Sequence, residues 1–165
     1  MPMGRITFFH LSIWGFLIAC SFLQGTEAYS CPQNWINFQR HCYSYRQTAR
    51  NWNDAEADCQ TFGQKSHLAS ILSEEEHRRI ASAITAAYDI KGPIWIGLFR
   101  KKRAGKNVQW KWTDNAAFGY VHWGPGQPSN CKNNQHCVEM FGVDLMNWND
   151  NYCNAENYYI CKIPL

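Results

Sequence analysis

Apolar residues recur at helical spacing in two stretches of the chain. In TARNWNDAEADCQTFG, Trp52, Ala55, Cys59 and Phe62 fall at i, i+3, i+7 and i+10, one helix face, and Gly63 is placed to end it. Asp54 then lies in the first turn, where the helix dipole favours an acid. A second helix starts at Ser73-Glu74-Glu75-Glu76, in which Ser73 and Glu76 match a capping box. Ile80, Ile84 and Ala87 share its apolar face, and the acidic triplet reads as a helix-start signal with no ligand role. After Gly92-Pro93 the period changes. Ile94–Leu98 is an apolar run expected to be a buried strand, and Val108–Trp112 alternates with period two, as a half-exposed strand does. Between 124 and 135, Gly, Pro, Ser and Asn dominate, which predicts a long irregular loop. Cys137–Phe141 and Tyr158–Lys162 read as closing strands. Helices first, short strands after and no βαβ alternation describe an α+β domain, not a nucleotide-binding fold.

The beginning of the chain has a different pattern. Arg5 precedes a 13-residue apolar run, Leu11–Leu23, and Thr26-Glu27-Ala28 puts small residues at the two positions that a signal peptidase reads. This is the layout of a secretory signal peptide over residues 1–28, with cleavage expected after Ala28 or, alternatively, Gly25. The run is shorter than the ~20 residues a spanning helix needs. Residues 29–165 then form one secreted domain, long enough to bury a core.

Secretion changes how the cysteines are read. Of eight, Cys20 lies in the leader, leaving Cys31, Cys42, Cys59, Cys131, Cys137, Cys153 and Cys161. Disulfides are the default outside the cell, and an odd number leaves one thiol over. Spacing does not select a connectivity. The net charge of +3 is far below the profile of a nucleic-acid binder. It is concentrated in RKKRAGK, where Arg100, Lys101, Lys102, Arg103 and Lys106 are either a contact for sulfated glycans, anionic lipid or bacterial surfaces, or a solvated hairpin tip. His41, His67, His122 and His136 are scattered singly, with no zinc-like spacing; His67 reads as structural, while His122 and His136 flank the long loop, where protonation could be sensed. No nucleophile elbow, phosphate loop or HExxH is present, so the chain is not read as an enzyme.

The tetrapeptide NWND occurs twice, at 51–54 and 147–150. The first copy sits at a helix start, which offers too few converging oxygens for a metal, and is read as packing. The second acquires meaning from its company. Cys31, Trp35, Cys42-Tyr43, Trp52-x-Asp54-Ala55-Glu56-x-x-Cys59, His67-Leu68-Ala69-Ser70-Ile71, Trp95-Ile96-Gly97-Leu98, Trp112-Thr113-Asp114, Trp123, Gln127-Pro128, Cys137, Trp148-Asn149-Asp150, Cys153 and Cys161 follow in this order. Together they resemble the C-type lectin-like domain family, closest in look to the short secreted lectins of reptiles and the regenerating-islet type lectins.

The resemblance implies disulfides Cys59–Cys161, Cys137–Cys153 and Cys31–Cys42. Cys131 is left over, either linking two chains into a homodimer or remaining a free or mixed-disulfide thiol. It also implies a calcium and sugar site on the long loop, around a cis proline. The matching positions are Gln127, Ser129, Gln135, Asn149 and Asp150, which would serve as both carbohydrate and metal ligands. Calcium takes about 6–8 oxygens, several of them charged. The sugar-binding relatives supply three carboxylates, whereas here only Asp150 is charged. Losing even tenfold in affinity for each of two carboxylates, from about 10⁻³ M, leaves binding near roughly 10⁻¹ M. The expected site is therefore a degenerate one, holding Ca²⁺ weakly or not at all. Gln before the proline implies a galactose-type rather than a mannose-type glycan, but no Trp or Tyr between Asn130 and His136 offers a stacking face. The expected function is carbohydrate binding; the alternative is calcium-independent binding of a protein or an anionic glycan or surface.

Overall fold

The computed structural model describes residues 30–101 and 109–165. The expected leader, residues 1–28, and Lys102, Arg103, Lys106 and Val108 lie outside the described residues. The elements in chain order are β1 (Ile36–Phe38), β2 (His41–Arg50), α1 (Trp52–Gln60), β3 (His67–Leu68), α2 (Glu74–Ala87), β4 (Ile94–Lys101), β5 (Gln109–Trp112), β6 (Cys137–Phe141), β7 (Asn147–Asn151) and β8 (Asn157–Pro164). The α+β class is as expected. Two strands nevertheless precede the first helix and β3 separates the helices, so the order is not helices first.

The strands form one sheet in the order β1-β2-β8-β4-β6-β7, with β3 on β8 and β5 on β4. Pairing is antiparallel except where β4 meets β8, at Ile94↔Tyr158 and Trp95↔Tyr159. β2 carries no period-two signal because Cys42, Tyr43, Ser44 and Tyr45 are all buried in a row. Successive side chains point to opposite faces, so both faces of that stretch are covered, while β1 and β8 pair with its two edges. Gly97 lies where β4 passes β3: a Cβ there would come 2.5 Å from Leu68 O.

Both helix starts are local and match the sequence. Asn51 caps α1, its side chain accepting from Asp54 N at 3.0 Å. Ser73 caps α2, accepting from Glu76 N at 3.1 Å. The helix ends differ from expectation. α1 stops at Gln60, so Phe62 leaves the apolar stripe; it is 39% exposed and packs edge-on against Trp35. In α2 Ile80 and Ile84 are buried as expected, but Ala87, at the end of the helix, is exposed. Each fully buried isoleucine contributes ~1.5–3 kcal/mol. The first NWND is packing, as read: Trp52 is buried and its indole donates to Ile96 O at 2.9 Å.

The acidic triplet is more than a helix start. Glu76 is buried, and it accepts from Lys162 Nζ at 2.8 Å, from Leu72 N at 2.6 Å and from the Tyr43 hydroxyl. Lys162 also donates to Ser70, to its main-chain carbonyl at 3.0 Å and its hydroxyl at 3.1 Å. A buried ion pair needs such supplementary bonds to offset desolvation. Three disulfides fasten the layers: Cys31–Cys42, Cys59–Cys161 and Cys137–Cys153. The bridge from α1 to β8 closes a separation of 102 residues, worth about 4–5 kcal/mol in the chain-entropy model. No helix among the described residues is long and apolar enough to cross a membrane.

Candidate functional site on the long loop

β7 alternates strictly, with Trp148 and Asp150 buried and Asn147, Asn149 and Asn151 less so. This alternation divides the second NWND between two faces. Asp150 is fully buried and faces the long loop. Its Oδ1 accepts from Ser129 N at 2.7 Å and its Oδ2 from Asn130 N at 2.8 Å. The Gln127-Pro128 peptide is cis, as the resemblance implies. Gln127 Oε1 accepts from the same Ser129 N at 2.9 Å. Gln135 Oε1 accepts from Ser129 Oγ at 2.8 Å and Cys131 N at 2.6 Å. Four of the five expected residues, Gln127, Ser129, Gln135 and Asp150, are thus joined in one network.

Asn149 is held apart. Its Nδ2 donates to Glu139 Oε1 at 2.8 Å on the other face of the β6–β7 pair. Glu139 is buried and also receives Asn151 Nδ2 at 3.0 Å and Asn157 Nδ2 at 2.6 Å. Three side-chain amides therefore converge on one carboxylate. Nothing in the sequence reading singled out Glu139. The available signal was an acid inside the apolar strand Cys137–Phe141, since a buried carboxylate must be matched by donors.

Trp148 packs at a tilt against His77, whose ring in turn neighbours His122. His77, which no sequence motif singles out because it lies within a helix face, is fully buried. Its Nε2 pairs with Leu145 O at 2.9 Å and its Nδ1 with Tyr120 Oη at 3.1 Å. Leu145 O is an acceptor only, so Nε2 carries the proton and Nδ1 accepts from the tyrosine hydroxyl. The His122 ring is 5.6 Å from His77 and bonds to Met146 O. Burial pushes the His77 pKa down to about 4. His67 is structural, its Nδ1 2.6 Å from Glu56 Oε1. His136 joins strands through its main chain, His136 N donating to Asn151 O at 3.1 Å and Arg100 N donating to His136 O at 2.7 Å. Cys131 is exposed and outside the disulfides, at the start of the short 3₁₀ turn Cys131–Asn133. Of the basic run, Arg100 is partly buried and Lys101 exposed.

The geometry has counterparts among known proteins. The Lectin C-type domain model matches residues 48–163. This chain belongs to the C-type lectin domain family. Regenerating islet-derived protein 4 of Rattus norvegicus is 37% identical over 153 residues, covering 88% of this chain and 93% of the relative. A C-type lectin mannose-binding isoform of Oxyuranus scutellatus is 34% identical over 163 residues, covering 97% and 98%. The crystal structure of a calcium-independent type II antifreeze protein superposes with a TM-score of 0.69 at 33% identity, covering 84% of this chain and 98% of that one. The family is one of lectins, and the three-disulfide α+β architecture is its fold.

Proposed function

We propose that this is a secreted, non-catalytic lectin whose long-loop face binds carbohydrate without needing calcium. The observation that carries the reading is the state of Asp150. Both of its oxygens already accept main-chain N–H groups of the loop, from Ser129 and Asn130. The other donors in the set, Gln127, Ser129 and Gln135, are neutral and bonded to one another or to the loop. Calcium wants several charged oxygens converging from different directions. One engaged carboxylate does not fit that requirement, and Asn149 is drawn to Glu139. Asp150 instead does structurally what an ion would do, pinning the cis-proline turn to β7. The existence of a calcium-independent protein on this fold supports the reading. Calcium is at most a weak accessory, and the family resemblance makes Gln127 the proposed selector of galactose-type glycans. Mannose is the competing ligand, because a relative of nearly the same length is named for binding it.

Two measurements test this. Calorimetric titration of calcium into the oxidised protein spanning residues 29–165 is expected to show no binding at several millimolar, in wild type as in Asp150→Ala. Retention on immobilised galactose, more than on mannose, is expected to survive a chelator. Millimolar or tighter calcium binding that Asp150→Ala abolishes, together with elution by chelator, would overturn the calcium-free reading. Absence of retention on every sugar column would overturn the lectin reading itself.

A further inference from the structure

We propose that the sheet face adjoining the long loop is an anion-seeking site, and that its preferred glycan carries a carboxylate or sulfate group held by Arg100. The inference rests on the reading of the long-loop face as a carbohydrate site and names the chemical class. Strand register fixes the place. Arg100 lies opposite Trp110 in the β4–β5 pair. Its main-chain N–H donates to the carbonyl of His136, the residue after Gln135, at 2.7 Å. The Arg100 guanidinium lies over the Trp110 ring at 5.4 Å. Trp110 packs against Trp123 at 5.0 Å, and Trp123 against Trp148 at 6.0 Å. Trp123 leads directly into the long loop, and Trp148 is two residues before Asp150 on the same strand face. The result is a row of three indoles ending in a cation beside the loop.

Among the described residues, that cation lacks a counter-charge. Arg100 Nε and Nη1 are shielded from solvent with no hydrogen-bond partner there. None of the ion pairs among the described residues includes Arg100. Donors of a charged group left desolvated and unpaired are unfavourable; as they stand these two are shielded, so a ligand meets the exposed side of the guanidinium first and pairs them only as the side chain turns outward. The residue as a whole is only partly buried, which leaves a side for approach. The surroundings agree in sign. Lys101 and Lys132 are exposed nearby in sequence to Arg100 and Gln135 respectively, whereas Asp150 is buried and engaged by the loop. A carboxylate or sulfate matches the planar fork of a guanidinium, and the apolar face of a sugar ring matches an indole.

The test uses a size-defined sulfated hexasaccharide prepared from heparin, and its desulfated, carboxyl-reduced counterpart, titrated in chelator. Wild type is expected to bind the anionic form at least about tenfold tighter, and Arg100→Gln to lose about tenfold, the scale of one charge-assisted bond. Arg100→Lys, which keeps the charge but not the fork, should fall between. A variant neutralising Lys102, Arg103 and Lys106 together should keep most of the preference. Arg100→Gln should also unfold close to the wild-type denaturant midpoint, because it breaks no ion pair among the described residues and loses only the contact with the Trp110 ring. Wild-type affinity in Arg100→Gln, or a preference that vanishes only in the triple variant, would overturn the assignment. Equal binding of the two oligosaccharides overturns this inference alone; no binding of either, with none to the neutral sugar columns, overturns it together with the lectin reading.

Discussion

Acid should weaken this fold through His77, and the size of the effect follows from its burial. The ring is fully buried against Trp148, Tyr120 and His122, with Nε2–H donated to Leu145 O and Nδ1 accepting from Tyr120. Protonation puts a charge into that space and turns Nδ1 from acceptor to donor. Desolvation is the largest cause of the lowered pKa; the bond to Leu145 opposes it and His122 adds to it, while Asp144 and Glu76 pull weakly the other way. The pKa falls from 6.5 to about 4. The unfolded chain therefore binds the proton more readily than the folded one. The stability contributed by neutral His77 is complete above pH 6.5 and is lost as pH falls from there toward 4. Linkage puts the loss at about 2 kcal/mol at pH 5 and about 3 kcal/mol at pH 4, levelling below. The assay is urea unfolding between pH 8 and 4, followed by tryptophan fluorescence with disulfides intact, for wild type and His77→Gln. Gln keeps a donor for Leu145 O but does not titrate, so the other groups cancel in the difference. The difference should be nearly flat above pH 7 and shift by about 3 kcal/mol against wild type by pH 4. A pH-independent difference would refute the argument from burial.

Three further substitutions probe the site and its support. Asp150→Ala removes the acceptor of two loop N–H groups and should cost about 2–4 kcal/mol in urea unfolding, with amide exchange of Ser129 and Asn130 accelerating most; unchanged exchange there would show that the loop is held otherwise. Glu139→Ala leaves the amides of Asn149, Asn151 and Asn157 without their common acceptor and should cost about 3 kcal/mol or more, whereas an unchanged unfolding midpoint would mean that water replaces the carboxylate freely. Gly97→Ala forces a Cβ to 2.5 Å from a main-chain oxygen of β3, which cannot retreat without breaking the β3–β8 pairing; a loss of at least about 2 kcal/mol is expected, and a neutral result would show that β3 yields.

What the sequence alone determined is local or carried by resemblance. The cap at Ser73 depends on residues three apart, so it was read from a string of letters; the equally local cap at Asn51 was supplied by the structure. The α+β class followed from the change of period after Gly92-Pro93. The address of the long-loop site, its cis proline and the cysteine pairs came with the motifs that mark the C-type lectin domain family. What escaped was long-range. Glu76 meets Lys162 across 86 residues and His77 meets Leu145 across 68, and nothing near either residue announces that it will be buried. β2 was illegible because coverage on both faces erases alternation. Phe62 left its stripe because α1 ended two residues before it, a choice made where Thr61 turned its hydroxyl and N–H back to Asp58 O. The second NWND shows the division most directly. Through the family resemblance, four letters gave Asn149 and Asp150 the address of a candidate ligand site. Only the pleat of β7 and its pairing with β6 sent adjacent side chains to opposite faces, Asp150 to the loop and Asn149 to Glu139.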